Sequence, residues 1–155
     1  MNSERKQKLL KKLKPYAADI LSHTRFEQMN DYIQHGTTTV QEHVLSVADQ
    51  SLKWNRKLHL HCDEKQLTRG ALLHDYFLYD WHTKNHPKLH GFRHADIALK
   101  NAEEDFDLTE REKDIIKKHM WPLTLKTPMC REAWLVTFAD KYVSLKETIA
   151  DRLKK

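Results

Sequence analysis

Residues that make turns are scarce in this chain. Three glycines and four prolines among 155 residues leave few tight turns, which disfavours a sheet-rich fold and makes an all-α domain the expectation. Cysteine is nearly missing as well. Cys62 and Cys130 build neither a disulfide framework nor a Cys-x-x-Cys pair, and read as reduced thiols of a cytoplasmic protein. No window reaches the roughly 18 apolar residues of a membrane span, and the basic start MNSERKQKLLKKLK lacks the apolar run of a signal peptide. Repeats, low-complexity tracts and linkers are also lacking. One soluble domain with its own core is therefore expected, with no membrane partner. The net charge of +5 could help attract phosphate, but a solvated lysine-rich surface explains it more simply. Without a basic-aromatic patch, no specific nucleic-acid binding is expected.

One residue type is in excess. Eleven histidines crowd towards the stretch from His59 to His94, and position must decide between metal ligand, proton carrier and surface residue.

Helix signals run from end to end. Ser3 can cap a helix through Leu13, with Pro15 marking a break. RFEQMNDYIQ reads as a short helix stopped at His35-Gly36, with Gly36 as its C-terminal cap. Thr38 or Thr39 opens a long helix to about Leu58, striped by Val40, Val44, Val47 and Ala48. Asp63 caps a helix over EKQLTRGALLHDYFLYD. Residues 81–93 read as a long loop, the kind that often carries function. A helix from about His94 to Asp105 follows, then one opened by a capping box of Thr109 and Glu112. REAWLVTFADKYVSLKETIADRLKK forms the last. Residues 1–34 are expected as a helical segment packed on a bundle formed by 35–155.

Four of these helices put an ionisable group on an apolar stripe. His43 lies with Val40, Val44 and Val47. His74 shares a face with Leu67, Ala71 and Leu78, and His119 follows Ile115 and Ile116. Asp140 continues Val136, Ala139 and Val143. A lone core histidine is ordinary, but an unpaired buried carboxylate costs several kcal/mol. A divalent metal would neutralise the whole set, since imidazole nitrogen and carboxylate oxygen are its natural ligands. His74 and Asp75 point about 100° apart on a helix, so both reach one ion only near the helix surface between them.

In this order, a histidine, a His-Asp doublet and a distant aspartate within TFADKYVSL, the residues resemble the HD-domain superfamily of metal-dependent phosphohydrolases, over roughly His35 to Leu153. The resemblance implies a single HD-type bundle of about six or seven helices. It assigns His43, His74, Asp75 and Asp140 to a first metal, with Asp75 as the bridge. HADIALKNA and IIKKHMWP are similar to the stretches that hold a second metal, through His94 and His119; His90 is the rival of His94. Two divalent metals are then implied, iron or manganese favoured, with zinc, magnesium, cobalt or nickel possible. They would activate a water to attack phosphorus.

The substrate side transfers less well. YFLYDW after the doublet replaces a common Ile-Gly-Lys, and no Gly-Tyr-Pro follows His119, which disfavours a cyclic di-GMP phosphodiesterase. A small phosphorylated metabolite or nucleotide is the implied partner. With Asp75 as a reacting group, Lys84, His90, Arg93 and Lys141 are candidate phosphate contacts. Trp81 and Trp121 could stack a base, though packing is their commoner use. His82 and His86 read as loop histidines; His23, His35, His59 and His61 receive no role. Asp80, Glu103 and Glu104 read as solvated. Two other readings share the site: a nucleotide-binding regulatory module and a di-iron oxygenase. The sequence leaves oligomeric state open.

Overall fold

In a computed structural model that describes residues 1–154, seven α-helices carry most of the chain, with one small two-stranded sheet. The fold is all-α, as expected. No described helix is long and apolar enough to cross a membrane.

Helix α1 spans Ser3–Leu21. Its cap is Asn2 rather than Ser3: the Asn2 side chain accepts from the Arg5 amide at 2.9 Å. Two helical stretches meet within α1 at a kink at Ala17 (φ −151°, ψ 43°), two residues after the break expected at Pro15.

The expected helix over RFEQMNDYIQ gives out early. Helix α2 covers only Thr24–Gln28 and a 3-10 turn Met29–Asp31 follows. Strand β1 (Ile33–His35) then pairs antiparallel with β2 (Thr38–Thr39). Gly36 is the hairpin residue, at φ +57°, not a helix cap. A side chain there would also collide with the Asp151 carboxylate. This hairpin carries Gln34 and His35 towards the centre described below.

Helix α3 (Val40–Lys57) opens with a capping box of Thr39 and Glu42. Helix α4 (Glu64–Leu73) is capped by Asp63 as expected, but ends seven residues before Asp80. The His-Asp doublet therefore follows the helix instead of sitting within it. One local hydrogen bond and two from a distant residue explain the stop. The Tyr76 amide bonds the Leu73 carbonyl at 3.1 Å, tightening the turn, and the Asn101 amide donates to the carbonyls of Tyr76 and Phe77 at 3.0 and 3.2 Å. Leu78 then adopts φ +59°, which no helix continues. Helix α5 (His90–Asp105) begins four residues before the expected His94. Helices α6 (Glu110–Lys118), with its Thr109–Glu112 capping box, and α7 (Arg131–Arg152) lie where the sequence put them.

The core gathers on α3 and α4. Helix α7 packs on α3, α6 packs on α4 and α7, and α1 covers α4 and α3. Leu45, Leu52, Leu67, Leu72, Leu73 and Ile115 are fully buried. A buried guanidinium ties three helices: Arg69 on α4 donates to Asp19 of α1 at 2.6 and 2.8 Å and to Glu112 of α6 at 3.0 Å. Beside it, Gly70 lets α6 approach so closely that a Cβ would overlap the Ile115 side chain. Gly70→Ala should destabilise the fold by about 1–3 kcal/mol, the usual cost of overpacking. Trimming the neighbour with Ile115→Val should return part of that loss in thermal melts. A penalty untouched by the trim would contradict the close approach.

Candidate metal centre

Five helices, or the one or two residues after their ends, deliver the six side chains. His43 stands on the buried stripe of α3. His74 and Asp75 follow the end of α4, His119 follows the end of α6, His94 lies in the second turn of α5, and Asp140 faces inward from α7. All six are buried, from 0% exposure at His43 and His74 to 8% at Asp140.

Three of the rings are locked by their own helices. His74 Nδ1 meets the Ala71 carbonyl at 2.7 Å, His119 Nδ1 the Ile116 carbonyl at 2.8 Å, and His94 Nδ1 the His90 carbonyl at 3.0 Å. A carbonyl only accepts, so the proton of each neutral ring resides on Nδ1 and the lone pair on Nε2. Those lone pairs converge on Asp75. Its Oδ1 lies 3.2 Å from His94 Nε2 and 3.3 Å from His119 Nε2. Its Oδ2 lies 3.4 Å from His74 Nε2 and 3.8 Å from His43 Nε2. The Gln34 amide donates to that same Oδ2 at 2.7 Å. Asp140 Oδ1 completes the group, 3.0 Å from His43 Nε2 and 3.6 Å from His74 Nε2.

Lone pairs facing one another need a cation between them. His94 Nε2 and His119 Nε2 stand 2.9 Å apart, and His74 Nε2 and Asp75 Oδ1, both buried, make no hydrogen bond. Their ion-pair distances are short, but the angles do not serve a proton. Among the overlapping groups of ligand atoms are one of His43, His74 and Asp140 and one of His74, Asp75 and His119. Nitrogen and carboxylate donors without sulfur fit divalent first-row metals. The residues present fit such an ion.

Without a metal, protons must do the neutralising. Burial would push the His43 imidazolium down, but the carboxylates of Asp140 and Glu147 hold its pKa up at about 9. Burial opposes ionisation of Asp75 and Asp140 too, yet the surrounding rings, His74 above all for Asp75 and His43 for Asp140, hold both well below the usual carboxylate range. His74 is correspondingly raised, chiefly by Asp75 against burial, and burial lowers His119.

Three contributors were not anticipated. Glu147 accepts from His43 Nδ1 at 2.9 Å; its spacing of seven from Asp140, two turns of α7, was the available signal. Gln34 and His35 arrive on the hairpin, where no periodicity points to them. His35 groups with His43 and Glu147.

Other candidates fall in different places. His90 lies outside the cluster: its Nδ1 shares a 2.7 Å hydrogen bond with the Tyr79 hydroxyl, and its ring stacks between Trp81 and His94. Lys141 donates to the His119 carbonyl at 3.2 Å. Both border a cavity of about 530 Å³ over Asp75 and Asp140, walled by Trp81, Met120, Pro122 and Leu123. Arg93 and Lys84 are exposed and do not line it. Trp121 packs edge-on against Trp134. Glu103 and Glu104 pair with Lys113 and Arg25, and Asp80 accepts from the His82 amide.

Metal-free protein should show a His43 ring titrating near pH 9 by NMR, and Glu147→Gln should move it down towards the ordinary 6.5. Because the folded pKa is raised, this pairing stabilises the metal-free fold fully below about pH 6.5 and loses its effect as pH rises through about 9. A titration near 6.5 in the unsubstituted protein would refute the pairing.

The comparisons bear on the same residues. Neither the curated proteins nor the solved structures searched match the chain. The HD domain model matches residues 40–145, about two thirds of the chain, a span that contains every one of the six clustered residues. The chain belongs to the HD domain family, which includes metal-dependent phosphohydrolases.

Proposed function

We propose that the protein is a metal-dependent phosphohydrolase that cleaves a phosphate ester or anhydride of a small metabolite, a nucleotide being the leading class. One observation carries the reading: the two oxygens of Asp75 are shared out, Oδ2 to His43 and His74, Oδ1 to His94 and His119. That division suits a carboxylate bridging two ions. His43, His74 and Asp140 would complete one site, and His94 with His119 the other. When bound, divalent iron or manganese would lower the pKa of a water and draw charge from a phosphoryl oxygen.

The chain's own residues prepare the rest. Gln34 fixes the Asp75 carboxylate, and Glu147 fixes the His43 ring with its Nε2 turned to the site. Lys141 presents a cationic head to a phosphoryl oxygen; burial pushes its pKa down and Asp140 pushes it back up. His90 is a wall, not a proton carrier, because burial and the neighbouring His94 bring its pKa down to about 4. Trp81, Met120, Pro122 and Leu123 give an apolar seat to the remainder of the substrate. Arg93 has no part in this arrangement.

Protein purified anaerobically should carry close to two transition ions per chain by mass spectrometry. His119→Ala should leave about one, and Asp75→Ala should leave neither site at full occupancy. Phosphate release from ester substrates should need the metal and proceed without oxygen. Lys141→Ala should cut kcat/KM by about 10²-fold with metal content unchanged, as for loss of one charge-stabilising donor. Failure to rebind metal after add-back, or turnover that consumes oxygen, would overturn the reading.

A further inference from the structure

Helix α7 is apolar on two opposite sides. Its inner side, with Ala133, Val136, Ala139 and Val143, belongs to the core. Its outer side shows Phe138 (51% exposed), Tyr142 (41%), Leu145 (60%) and Ile149 (48%), continued by Leu153 (83%). A helix apolar all round is normally covered all round, yet nothing in the described residues covers this face.

The spacing of the stripe identifies what would. From Trp134 the apolar positions run 138, 142, 145, 149, 153, in steps of four, four, three, four and four. The pattern reads the same in both directions, about a centre between Val143 and Ser144. An isologous two-fold contact demands that symmetry, because residue i must meet j while j meets i. Steps of four and three are also those of a helix-pair seam. We propose that α7 pairs antiparallel with α7 of a second copy of this chain. Tyr142 then meets Leu145 of the second copy, Phe138 meets Ile149, and Trp134 meets Leu153.

Size and shape agree. Phe138, Tyr142, Leu145, Ile149, Leu153 and the neighbouring Leu58 (59% exposed) each present on the order of 100 Å². Their sum, with the edges of Trp54 and Trp134, approaches the roughly 800 Å² per partner of a standard interface. Beside Trp134 a groove of about 450 Å³, lined by Trp54, Leu58, Leu60 and Phe138 among others, is available to Leu153 of the second copy.

Charge opposes the pairing and so gives it a signature. The exposed charges of α7 are Arg131, Lys141, Lys146 and Arg152, all positive, with Lys154 just beyond its end, and pairing brings the sets of the two copies alongside one another. Two contacts soften this: Lys146 lies over the Tyr142 ring at 5.4 Å, and Lys141 turns to the His119 carbonyl. Association should therefore tighten as salt screens the repulsion. An anionic lipid surface on the same face would respond in the opposite sense.

Sedimentation velocity on the full, metal-loaded chain, from about 1 to about 100 μM, tests this. The unsubstituted protein should dimerise, more tightly in higher salt. Leu145→Glu and Tyr142→Lys should each weaken the dimer at least about thirtyfold, with circular dichroism unchanged and thermal melts lowered only at concentrations where the unsubstituted protein is dimeric. Mixing the two variants should restore a heterodimer, because antiparallel pairing sets the new glutamate against the new lysine. A monomer throughout, a dimer indifferent to both substitutions, or no recovery on mixing would overturn the proposal. So would salt-sensitive capture by phosphatidylserine vesicles in place of dimerisation.

Discussion

Two buried carboxylates set the terms for this molecule. An ionised aspartate in a dry interior costs several kcal/mol unless cationic charge sits beside it, and Asp75 and Asp140 lie within a few ångströms of one another's histidine partners. Four rings converge on them, and three of those rings spend their other nitrogen on a carbonyl of the same chain segment. The helices are cut to suit. Helix α4 stops at Leu73 so that His74 and Asp75 leave it in one tight turn, and α6 stops at Lys118 so that His119 can do the same. Remote polar ties then keep the helix ends in register: Arg69 holds α1, α4 and α6 together through Asp19 and Glu112.

What the sequence made legible follows from periodicity. His43, His119 and Asp140 were visible because each interrupts an apolar stripe, and His74 because it continues one. His94 and His119 gained meaning as a pair only through the family resemblance. Helix starts were read closely, at Thr109 from its capping box and at Thr38 or Thr39 to within one residue, since the cap chemistry is local. Helix ends were not. The stop of α4 depends on Asn101, donated from another helix, and the early start of α5 on Leu89 at φ +60°. Neither leaves a trace in the sequence around it. The hairpin was missed for the same reason: its strands are three and two residues long, too short for alternation to show. With it went Gln34 and His35.

Helix α7 divides its labour by face. Asp140 and Glu147, two turns apart, look inward, one to the rings of His43 and His74 and the other to the outer nitrogen of His43. Between them on the opposite side lie Tyr142 and Leu145, the centre of the apolar palindrome. One rigid element thus holds both buried polar contacts and an exposed apolar stripe. That accounts for its composition, which has too many apolar residues for an ordinary surface helix and too many charges for a wholly buried one.

Under the proposed function, chemistry and selectivity would be separated in the same way. The six clustered residues stand on helices or within one residue or two of a helix end, where packing fixes them to the accuracy that a coordination sphere requires. The cavity wall is built otherwise. Trp81 comes from the segment between α4 and α5, while Met120, Pro122 and Leu123 come from the segment between α6 and α7, neither of them regular. Changes at Trp81, Met120, Pro122 and Leu123 would reshape the cavity without touching the six clustered residues. The family match spans both alike, over residues 40–145, so under the proposed function selectivity is to be sought in this wall, beside Lys141.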